Sequence, residues 1–406
     1  LCIVQSAKDI FIIEDSKEFD GRYFVIDELE IDLIIKLQDY IKNSGVDRLW
    51  IGYLTEIELP DCPQVRQVDR AFIHKAKEYG YLVGPYDSFH TMMDPQKADS
   101  PNVTFKNVYP TAAVVDALGN RMPGFRGRGY YVSSQALRLD NNKEIYDRVD
   151  VFADMDINSY FLDCDGMGEL FDDYDPLHCM NQYQDRANRL ERMAHIADNK
   201  KLVLGSETAA AWAVPVLAFS HGTMSVSNTI HYPFSNNAKI YGGWWPRDRY
   251  AFFFKTIEVH LEYIQCKYNP VYRIPLYQAV FHEAIVTTDR WEISHMKFKN
   301  AYKIGELLEL LYGVPSIWAL DMKDIKKYSH DFKKLYDFFS PLHKAIACEP
   351  LIFFDWLDDS RNVQKAIFGH VVELTANFSD VYFDDIPPCS IKAIWLKDKQ
   401  VQIYTP

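Results

Sequence analysis

The stretch Ser159-Tyr-Phe-Leu-Asp163-Cys-Asp165-Gly166 has the pattern of a short buried strand that ends in carboxylates. Because successive side chains of a strand point to opposite faces, Asp163 and Asp165 share one face of it. The other face carries Leu162 and Cys164, which we expect to pack on helices. The two aspartates are therefore expected to face the open end of a sheet.

A second run, Lys201-Leu-Val-Leu-Gly205, predicts the next strand, and the same count places Glu207 at its end on the inward face. Neighbouring strands lie about 4.8 Å apart. Adjacent strand ends thus suit the separation of about 5–5.5 Å between the two carboxyl groups of a retaining glycosidase. In that hypothesis Asp163 is the nucleophile and Glu207 the acid/base. If the strand runs one residue pair further, Asp165 is the nucleophile and Asp163 supports it.

Around these two runs, short apolar segments alternate with amphipathic segments along most of the chain. This alternation indicates βαβ units and a parallel sheet, and about seven units can be placed. We expect strands at Tyr23–Ile26, Arg48–Tyr53, Tyr81–Tyr86, Ser159–Asp163, Lys201–Gly205, Val216–Phe219, Ile274–Phe281 and Val314–Ala319. We expect helices at Ile34–Lys42, Phe72–Tyr79, Gln182–Asp198, His295–Tyr312 and Ile325–Ala345. The predicted fold is an α/β (β/α)8 TIM barrel, in which reactive side chains lie at the C-terminal ends of the strands.

A doubly wound sheet is the alternative architecture. It usually has a glycine-rich turn after its first strand, and the nearest match here, Gly124-Phe-Arg-Gly127-Arg-Gly129, follows no clear strand and is typical of a hairpin. The sequence Gly205-Ser-Glu-Thr does not match the G-x-S-x-G turn of α/β-hydrolases. Both observations favour the barrel.

The order of predicted strands and helices along the chain indicates two domains. The barrel would span residues 1–347, with an insertion near residues 102–138 on the third βα loop. From residue 348 to 406 the helix signal disappears and short alternating runs predict a small antiparallel, β-sandwich-like domain.

The amino-acid composition disfavours some classes of binding partner and favours others. A net charge of −13 disfavours nucleic-acid binding, and no run of about 18 apolar residues predicts a membrane span. Aromatic residues make up 15% of the chain, which suits a carbohydrate partner, although core packing accounts for most of them. The chain starts at Leu1 rather than Met, so we expect a longer precursor, and the sequence leaves both a secreted and a cytoplasmic location open.

Further polar or aromatic residues follow predicted strands and are candidates for substrate binding: Asp87, His90, Asp165, Trp244, Trp245, His282 and Asp289. For the tryptophan pair, stacking on a sugar ring and ordinary packing are equally good explanations. No cofactor and no metal are expected. If Asp163 is taken as the first residue of an EF-hand calcium loop, Met167 and Tyr174 occupy positions 5 and 12. The ligands that calcium needs at those two positions are therefore missing.

Ser159-Tyr-Phe-Leu-Asp163, the acidic loop after it and Leu204-Gly-Ser-Glu207 resemble the catalytic region of retaining α-N-acetylgalactosaminidases. The resemblance covers roughly residues 45–320 and extends to the clan of endo-acting enzymes and their exo-acting relatives. It implies a (β/α)8 barrel with flanking β domains. It also implies an Asp nucleophile on the fourth strand and a Glu acid/base on the fifth, which match Asp163 and Glu207. The family also has a large β-sandwich ahead of the barrel, which we do not expect within these 406 residues, consistent with a truncated start or a simpler relative.

The sequence thus predicts a retaining α-glycosidase that acts on α-linked galactose or N-acetylgalactosamine in an oligosaccharide or glycoconjugate. Two alternatives stay open. The chain could be a transglycosylase or an α-glycosidase of other sugar specificity, or a non-catalytic glycan-binding barrel.

Overall fold

The structure is a computed structural model of the 406-residue chain. It describes residues 3–5, 39, 41–43, 45–53, 63–98, 103–224, 226–242, 255–290, 292–318 and 322–406. The expected strand Tyr23–Ile26 and most of the expected helix Ile34–Lys42 lie outside these residues.

The centre of the molecule is a parallel sheet. In the described part of the chain it has seven strands, in the order β1-β2-β3-β6-β7-β8-β9. These strands are β1 (Ile3–Gln5), β2 (Trp50–Tyr53), β3 (Leu82–Ser88), β6 (Ser159–Asp163), β7 (Val203–Glu207), β8 (Phe219–His221) and β9 (Val286–Thr288). The short strands β4 (Thr91–Met92) and β5 (Tyr130–Tyr131) pair with each other within the segment that follows β3.

The parallel sheet is strongly curled. Trp50 of β2 and Phe219 of β8 are four strands apart, which would be about 19 Å in a flat sheet. Their ring centroids are 5.0 Å apart, and Phe161 of β6 and Ile317 complete the same buried cluster. The concave side is therefore filled with side chains, as in the interior of a barrel. Closure by an eighth strand stays a prediction.

Helices cover the convex side, where the main apolar core lies. The helices in the described part of the chain are α1 (Pro63–Glu78), α2 (Ser134–Leu139), α3 (Lys143–Ala153), α4 (Gln182–Ala194), α5 (Asn228–Ser235), α6 (Ala238–Tyr241), α7 (Leu261–Lys267), α8 (Leu276–Phe281), α9 (Tyr302–Leu311) and α10 (Met322–Ile346). A capping box between Asn181 and Gln184 fixes the start of α4 by satisfying backbone N–H groups of its first turn. Among the described residues, no helix combines the length and apolar character needed to cross a bilayer.

One strand prediction was wrong in the second half of the sheet. Ile274–Phe281 is not a strand, because Pro275 starts helix α8 there, and the strand lies later, at β9. Of the expected strand Val314–Ala319 the structure describes residues 314–318, in which Trp318 forms a β-bridge and residues 314–317 form no ladder, so this strand stays a prediction. The expected strand Val216–Phe219 starts later, as β8, because Pro215 belongs to a 3₁₀ turn at Val214–Val216.

The C-terminal tail folds into a five-stranded antiparallel sheet. Its strands, each paired with the next, are β10 (Leu351–Trp356), β11 (Val363–Phe368), β12 (Val372–Asn377), β13 (Ser390–Trp395) and β14 (Val401–Tyr404). Its apolar face joins the main core, where Tyr404 contacts Phe338 of α10. In the described residues helices cover that face, and the division into a barrel and a sandwich-like C-terminal domain stays a prediction.

Candidate functional site

Two carboxylates meet where the parallel strands end. Asp163 is the last residue of β6 and Glu207 the last residue of β7. These strands are neighbours, with Leu162 opposite Ser206, so the two carboxylates project from adjacent positions. His221 ends β8 opposite Glu207. Potential ligand atoms of Asp163, Glu207 and His221 all lie within 4.8 Å of one another.

The residue after each carboxylate has a left-handed backbone. Cys164 has φ 64° and Thr208 has φ 38°, conformations that non-glycine residues seldom adopt and that are concentrated at functional sites. At Cys164 this turn reverses the alternation of the strand. The Cys164 Sγ now lies 3.5 Å from Oε2 of Glu207, inside the site.

Asp165 consequently lies on the other side of the strand, which corrects the expectation that it faces the mouth beside Asp163. It is fully buried, and Nε of Arg192 on α4 donates to its Oδ2 at 2.6 Å. The Arg192 Nη2 donates to the second oxygen. Asp165 therefore anchors the loop after β6 to the helix layer.

Asp163 is held from β3. The phenol Oη of Tyr86 donates to Asp163 Oδ2 at 2.6 Å, and Ser88 on the same strand is in register with Asp163. The Tyr86 ring stacks on Phe161, with centroids 5.9 Å apart. Tyr86 thus fixes the orientation of the Asp163 carboxylate from the neighbouring strand β3.

Glu207 is held from the segment that follows β9. The Arg290 Nη2 donates to Glu207 Oε1 at 3.0 Å. The same guanidinium binds Glu292 through Nε and Nη2, at 3.0–3.2 Å. Arg290 and Glu292 are almost fully buried, at 4% and 3% exposed. The site therefore contains two carboxylates paired with one arginine, beside the carboxylate of Asp163.

Burial and mutual repulsion change the proton affinities of the pair. Burial, followed by the charge of Asp163, raises the pKa of Glu207 to about 8. Burial also raises the pKa of Asp163, although the hydrogen bond from Tyr86 opposes that rise. Burial lowers the pKa of His221 to about 3, so this imidazole is neutral near pH 7. Both pKa values are therefore raised, and that of Glu207 lies above neutral pH.

A second polar pair borders this centre. His90, in the turn after β3, has its Nε2 2.9 Å from Oε2 of Glu169. The His90 ring contacts Tyr131 and Phe171, whereas Glu169 is partly exposed. The pair offers hydrogen-bonding groups next to an aromatic surface.

The other predicted substrate-binding residues lie elsewhere. Asp87 points to the helix layer, where Arg148 Nη1 at 3.0 Å and Tyr160 Oη at 2.7 Å donate to it. Asp289 accepts a bond from Lys267 Nζ at 2.7 Å. His282 follows α8, where its Nδ1 lies 2.7 Å from the Glu349 carbonyl oxygen, next to the C-terminal sheet. Trp244 and Trp245 lie outside the described residues.

Several residues of the site were missed from the sequence. Tyr86 was detectable, because alternation from Val83, whose side chain lies in the main core, places Asp87 outward and Tyr86 inward. Arg290 and Glu292 were missed because the strand before them was placed at residues 274–281. The β-branched run Val286-Thr-Thr288 followed by charged residues was the available signal.

The site also has donors of the kind that bind metals. Asp163, Glu207 and His221 supply two carboxylates and an imidazole at a spacing that could hold one ion. The neighbouring Arg290 cation opposes an added positive charge at Glu207. The sequence-based expectation of no metal stays a prediction.

A family model matches most of the chain. Residues 40–367 match the model of a family described as glycosyl hydrolases related to the GH101 family, GH129. A much shorter match, 38% identical over 58 residues, joins 14% of this chain to 30% of the recombination protein RecR of a Nitratiruptor species. Because that match spans less than a third of RecR, it does not extend the activity of RecR to this chain.

Solved structures with a similar fold include several that act on carbohydrates. The α-N-acetylgalactosaminidase NagBb from Bifidobacterium bifidum, in complex with GalNAc, superposes with a TM-score of 0.62 at 15% identity over 99% of this chain. The chain spans 57% of the NagBb chain. The maltogenic α-amylase AmyB from Thermotoga neapolitana has a TM-score of 0.52 at 13% identity, covering 99% of this chain and 93% of AmyB. At these identities the likeness shows the fold alone.

Proposed function

Since the chain belongs to the family of glycosyl hydrolases related to GH101, GH129, we propose that it is a retaining α-glycosidase for α-linked galactose or N-acetylgalactosamine. Asp163 is the nucleophile and Glu207 the acid/base in this proposal. The observation that carries it is the close approach of these two carboxylates, whose nearest ligand atoms are within 4.8 Å.

The separation of the carboxylates supports retention. An inverting enzyme needs about 6.5–9.5 Å between them, to leave room for a water molecule beside the sugar. A retaining enzyme needs about 5–5.5 Å, since one carboxylate attacks the anomeric carbon directly. Carboxylates in near contact suit the second geometry.

The roles follow from the surroundings of each group. Glu207, with its pKa raised to about 8, holds a proton at neutral pH and can donate it to the leaving oxygen. Asp163 receives a hydrogen bond from Tyr86, which favours its ionised form and aims it as a nucleophile. After the glycosyl–Asp163 ester forms, the ionised Glu207 removes a proton from the water that hydrolyses it.

The sugar class rests on similarity. NagBb is named as an α-N-acetylgalactosaminidase, and a GH36 α-galactosidase, AgaA from Geobacillus stearothermophilus, superposes with a TM-score of 0.50 at 10% identity. His90 with Glu169 would hold sugar hydroxyls, and Trp244 and Trp245 would supply a stacking surface. The closed barrel and its separate C-terminal domain are part of the same proposal.

The test uses 4-nitrophenyl α-galactoside and 4-nitrophenyl N-acetyl-α-galactosaminide. Asp163→Ala and Glu207→Ala should each lower kcat/KM, on the order of 10³-fold or more. Near-normal turnover by either variant would contradict the assignment. Binding of the free sugars without any turnover by the native protein would favour the glycan-binding alternative.

Azide separates the two roles. With a reactive aryl α-glycoside, azide should restore turnover to Asp163→Gly and give the β-glycosyl azide, because azide replaces the nucleophile. In Glu207→Gly, azide should give the α-glycosyl azide, because it intercepts the enzyme-bound sugar. The reverse assignment of products would exchange the two roles.

A further inference from the structure

We propose that Arg290 and Glu292 act as a positioning pair for Glu207, setting both its orientation and its proton affinity. The inference rests on the proposed function, in which Glu207 is the acid/base. It assigns a role in the reaction to two residues that follow β9 and that neither attack the sugar nor protonate the leaving group.

The geometry fixes Glu207 through one shared nitrogen. Arg290 Nη2 lies 3.0 Å from an oxygen of Glu207 and 3.0 Å from an oxygen of Glu292. The Arg290 Nε, 3.2 Å from both Glu292 oxygens, completes a fork that leaves the guanidinium little freedom. The backbone N–H of Arg290 is also held, by Asp289 Oδ1 at 2.7 Å. Glu292 therefore orients the Arg290 guanidinium, and Arg290 orients the Glu207 carboxylate.

Titratable groups lie near Glu207 on several of the described elements. From β6 and the turn after it come Asp163 and Cys164, from β3 Tyr86, from β8 His221 and from α5 Tyr232. When Arg290 and Glu292 are added to these groups, Arg290 is the one that is permanently cationic. The Arg290 guanidinium also lies 5.6 Å from the centre of the Tyr232 ring, so it is enclosed on that side.

The two charges have opposite effects on Glu207. The Arg290 cation favours ionised Glu207, whereas the Glu292 anion disfavours it. Burial acts to raise the pKa of Glu292, but the charge of Arg290 opposes burial most strongly, and the pKa of Glu292 is lowered on balance. With Glu292 ionised, most of the Arg290 charge is balanced, and Glu207 keeps its proton until the pH is mildly alkaline.

The experiment follows kcat/KM for 4-nitrophenyl N-acetyl-α-galactosaminide against pH. In the native protein the rate should fall as the pH rises through about 8, because Glu207 loses the proton that it must donate. Glu292→Gln should move this alkaline limb to lower pH by at least about 0.5 unit, because the Arg290 charge is no longer balanced. The double variant Arg290→Gln/Glu292→Gln removes both charges and should return the limb toward its native position, at a lower rate.

A purely structural role would lower the rate in both variants without moving the limb, and that result would overturn the proposal. Glu191→Gln is the matched control, since Glu191 is an exposed carboxylate paired with Arg138 at 2.8 Å on the outer helix α4. It should leave the limb unchanged. Thermal denaturation of each variant identifies any that does not fold, and the double variant then supplies the comparison.

Two further measurements distinguish the role of Glu207 as the acid/base from the role of Arg290 and Glu292 as its positioning pair. With 2,4-dinitrophenyl N-acetyl-α-galactosaminide, which departs without a proton, the alkaline limb should disappear. If Glu207→Gln loses no activity on the nitrophenyl substrate, the assignment of Glu207 fails. If Glu207→Gln is inactive but the limb of Glu292→Gln stays within about 0.2 pH unit of native, only the positioning pair fails.

Discussion

The phenol of Tyr86 and the carboxylate of Asp163 form a 2.6 Å hydrogen bond between neighbouring strands of the curled sheet. The bond joins a tyrosine whose pKa burial and the Asp163 charge raise well above 10 to the carboxylate that we propose as the nucleophile. Tyr86 therefore stays protonated and acts as a donor throughout the working pH range.

Replacing this donor should change the acidic side of the pH profile. In Tyr86→Phe, the pKa of Asp163 should rise, because the bond that favours its ionised form is lost. The acidic limb of kcat/KM should therefore move to higher pH, and the maximal rate should fall about 10- to 100-fold. An acidic limb at the native position would show that Asp163 does not titrate in the free enzyme.

The buried ion pair of Asp165 with Arg192 should be important for folding rather than for chemistry. Asp165→Asn leaves the Arg192 guanidinium, 2% exposed, without its counter-ion, which should cost about 3–5 kcal/mol of unfolding free energy. Urea denaturation measures this cost. The exposed Asp337, paired with Lys333 at 2.7 Å, is the control, and Asp337→Asn should cost less than about 0.5 kcal/mol.

The same variant also tests the alternative nucleophile. If Asp165 attacked the sugar, Asp165→Asn would be inactive even where the protein is fully folded. We expect the folded fraction of this variant to keep turnover within about tenfold of native, since its carboxylate faces α4.

Gly205 should be irreplaceable two residues before Glu207. A Cβ at this position would lie 2.2 Å from ring carbons of Phe219, inside the filled concave side of the sheet. Gly205→Ala should therefore cost about 1–3 kcal/mol of stability and displace Glu207, lowering kcat. Gly168→Ala is the matched control, because no atom lies within 4 Å of its added Cβ. Equal thermal stability of the two variants would contradict this view of the interior.

A buried histidine makes stability depend on pH. His295 Nε2 lies 2.6 Å from Glu306 on α9, and Glu306 also accepts a bond from Tyr404 of the C-terminal sheet. Burial acts to lower the pKa of His295, but Glu306 and Glu309 outweigh it and raise the pKa to about 10. The stabilisation is thus complete below the ordinary value of 6.5 and is lost as the pH rises through about 10.

Thermal denaturation between pH 6 and pH 10 measures this loss. The midpoint should fall over that range in the native protein and fall less in His295→Gln, which has no proton to lose. Because other groups titrate at the alkaline end, the difference between the two curves is the informative quantity. His330→Gln, a change at an exposed histidine on α10, should follow the native curve.

The strand-end rule located the two central carboxylates because it depends only on alternation within short apolar runs. Asp163 and Glu207 each close such a run, and the structure brings them together. The resemblance to the α-N-acetylgalactosaminidase clan is confirmed at the level of the family and of the fold. The antiparallel strands predicted after residue 348 are confirmed as a C-terminal antiparallel sheet, β10 to β14.

The failures have local physical causes. Alternation does not continue past Asp163, because Cys164 adopts a left-handed backbone that no composition rule indicates. The apolar run Ile274–Phe281 has the pattern of a buried strand, yet Leu276 and Val280 are exposed on helix α8, at 69% and 57%. Long-range ion pairs such as Arg148 with Asp87 depend on which helix packs over a strand, and a single sequence does not contain that information.

The filled concave side of the sheet has a kinetic consequence. Trp50, Phe161, Phe219 and Ile317 occupy the space beneath the site, and His221 stacks on Phe161 at 5.2 Å. Because this layer closes the floor of the site, a sugar that enters past the strand ends has to leave by the same opening. In the retaining reaction that we propose, the aglycone must then depart before water reaches the sugar–enzyme ester. A released sugar that lingers at this opening would compete directly with the next substrate.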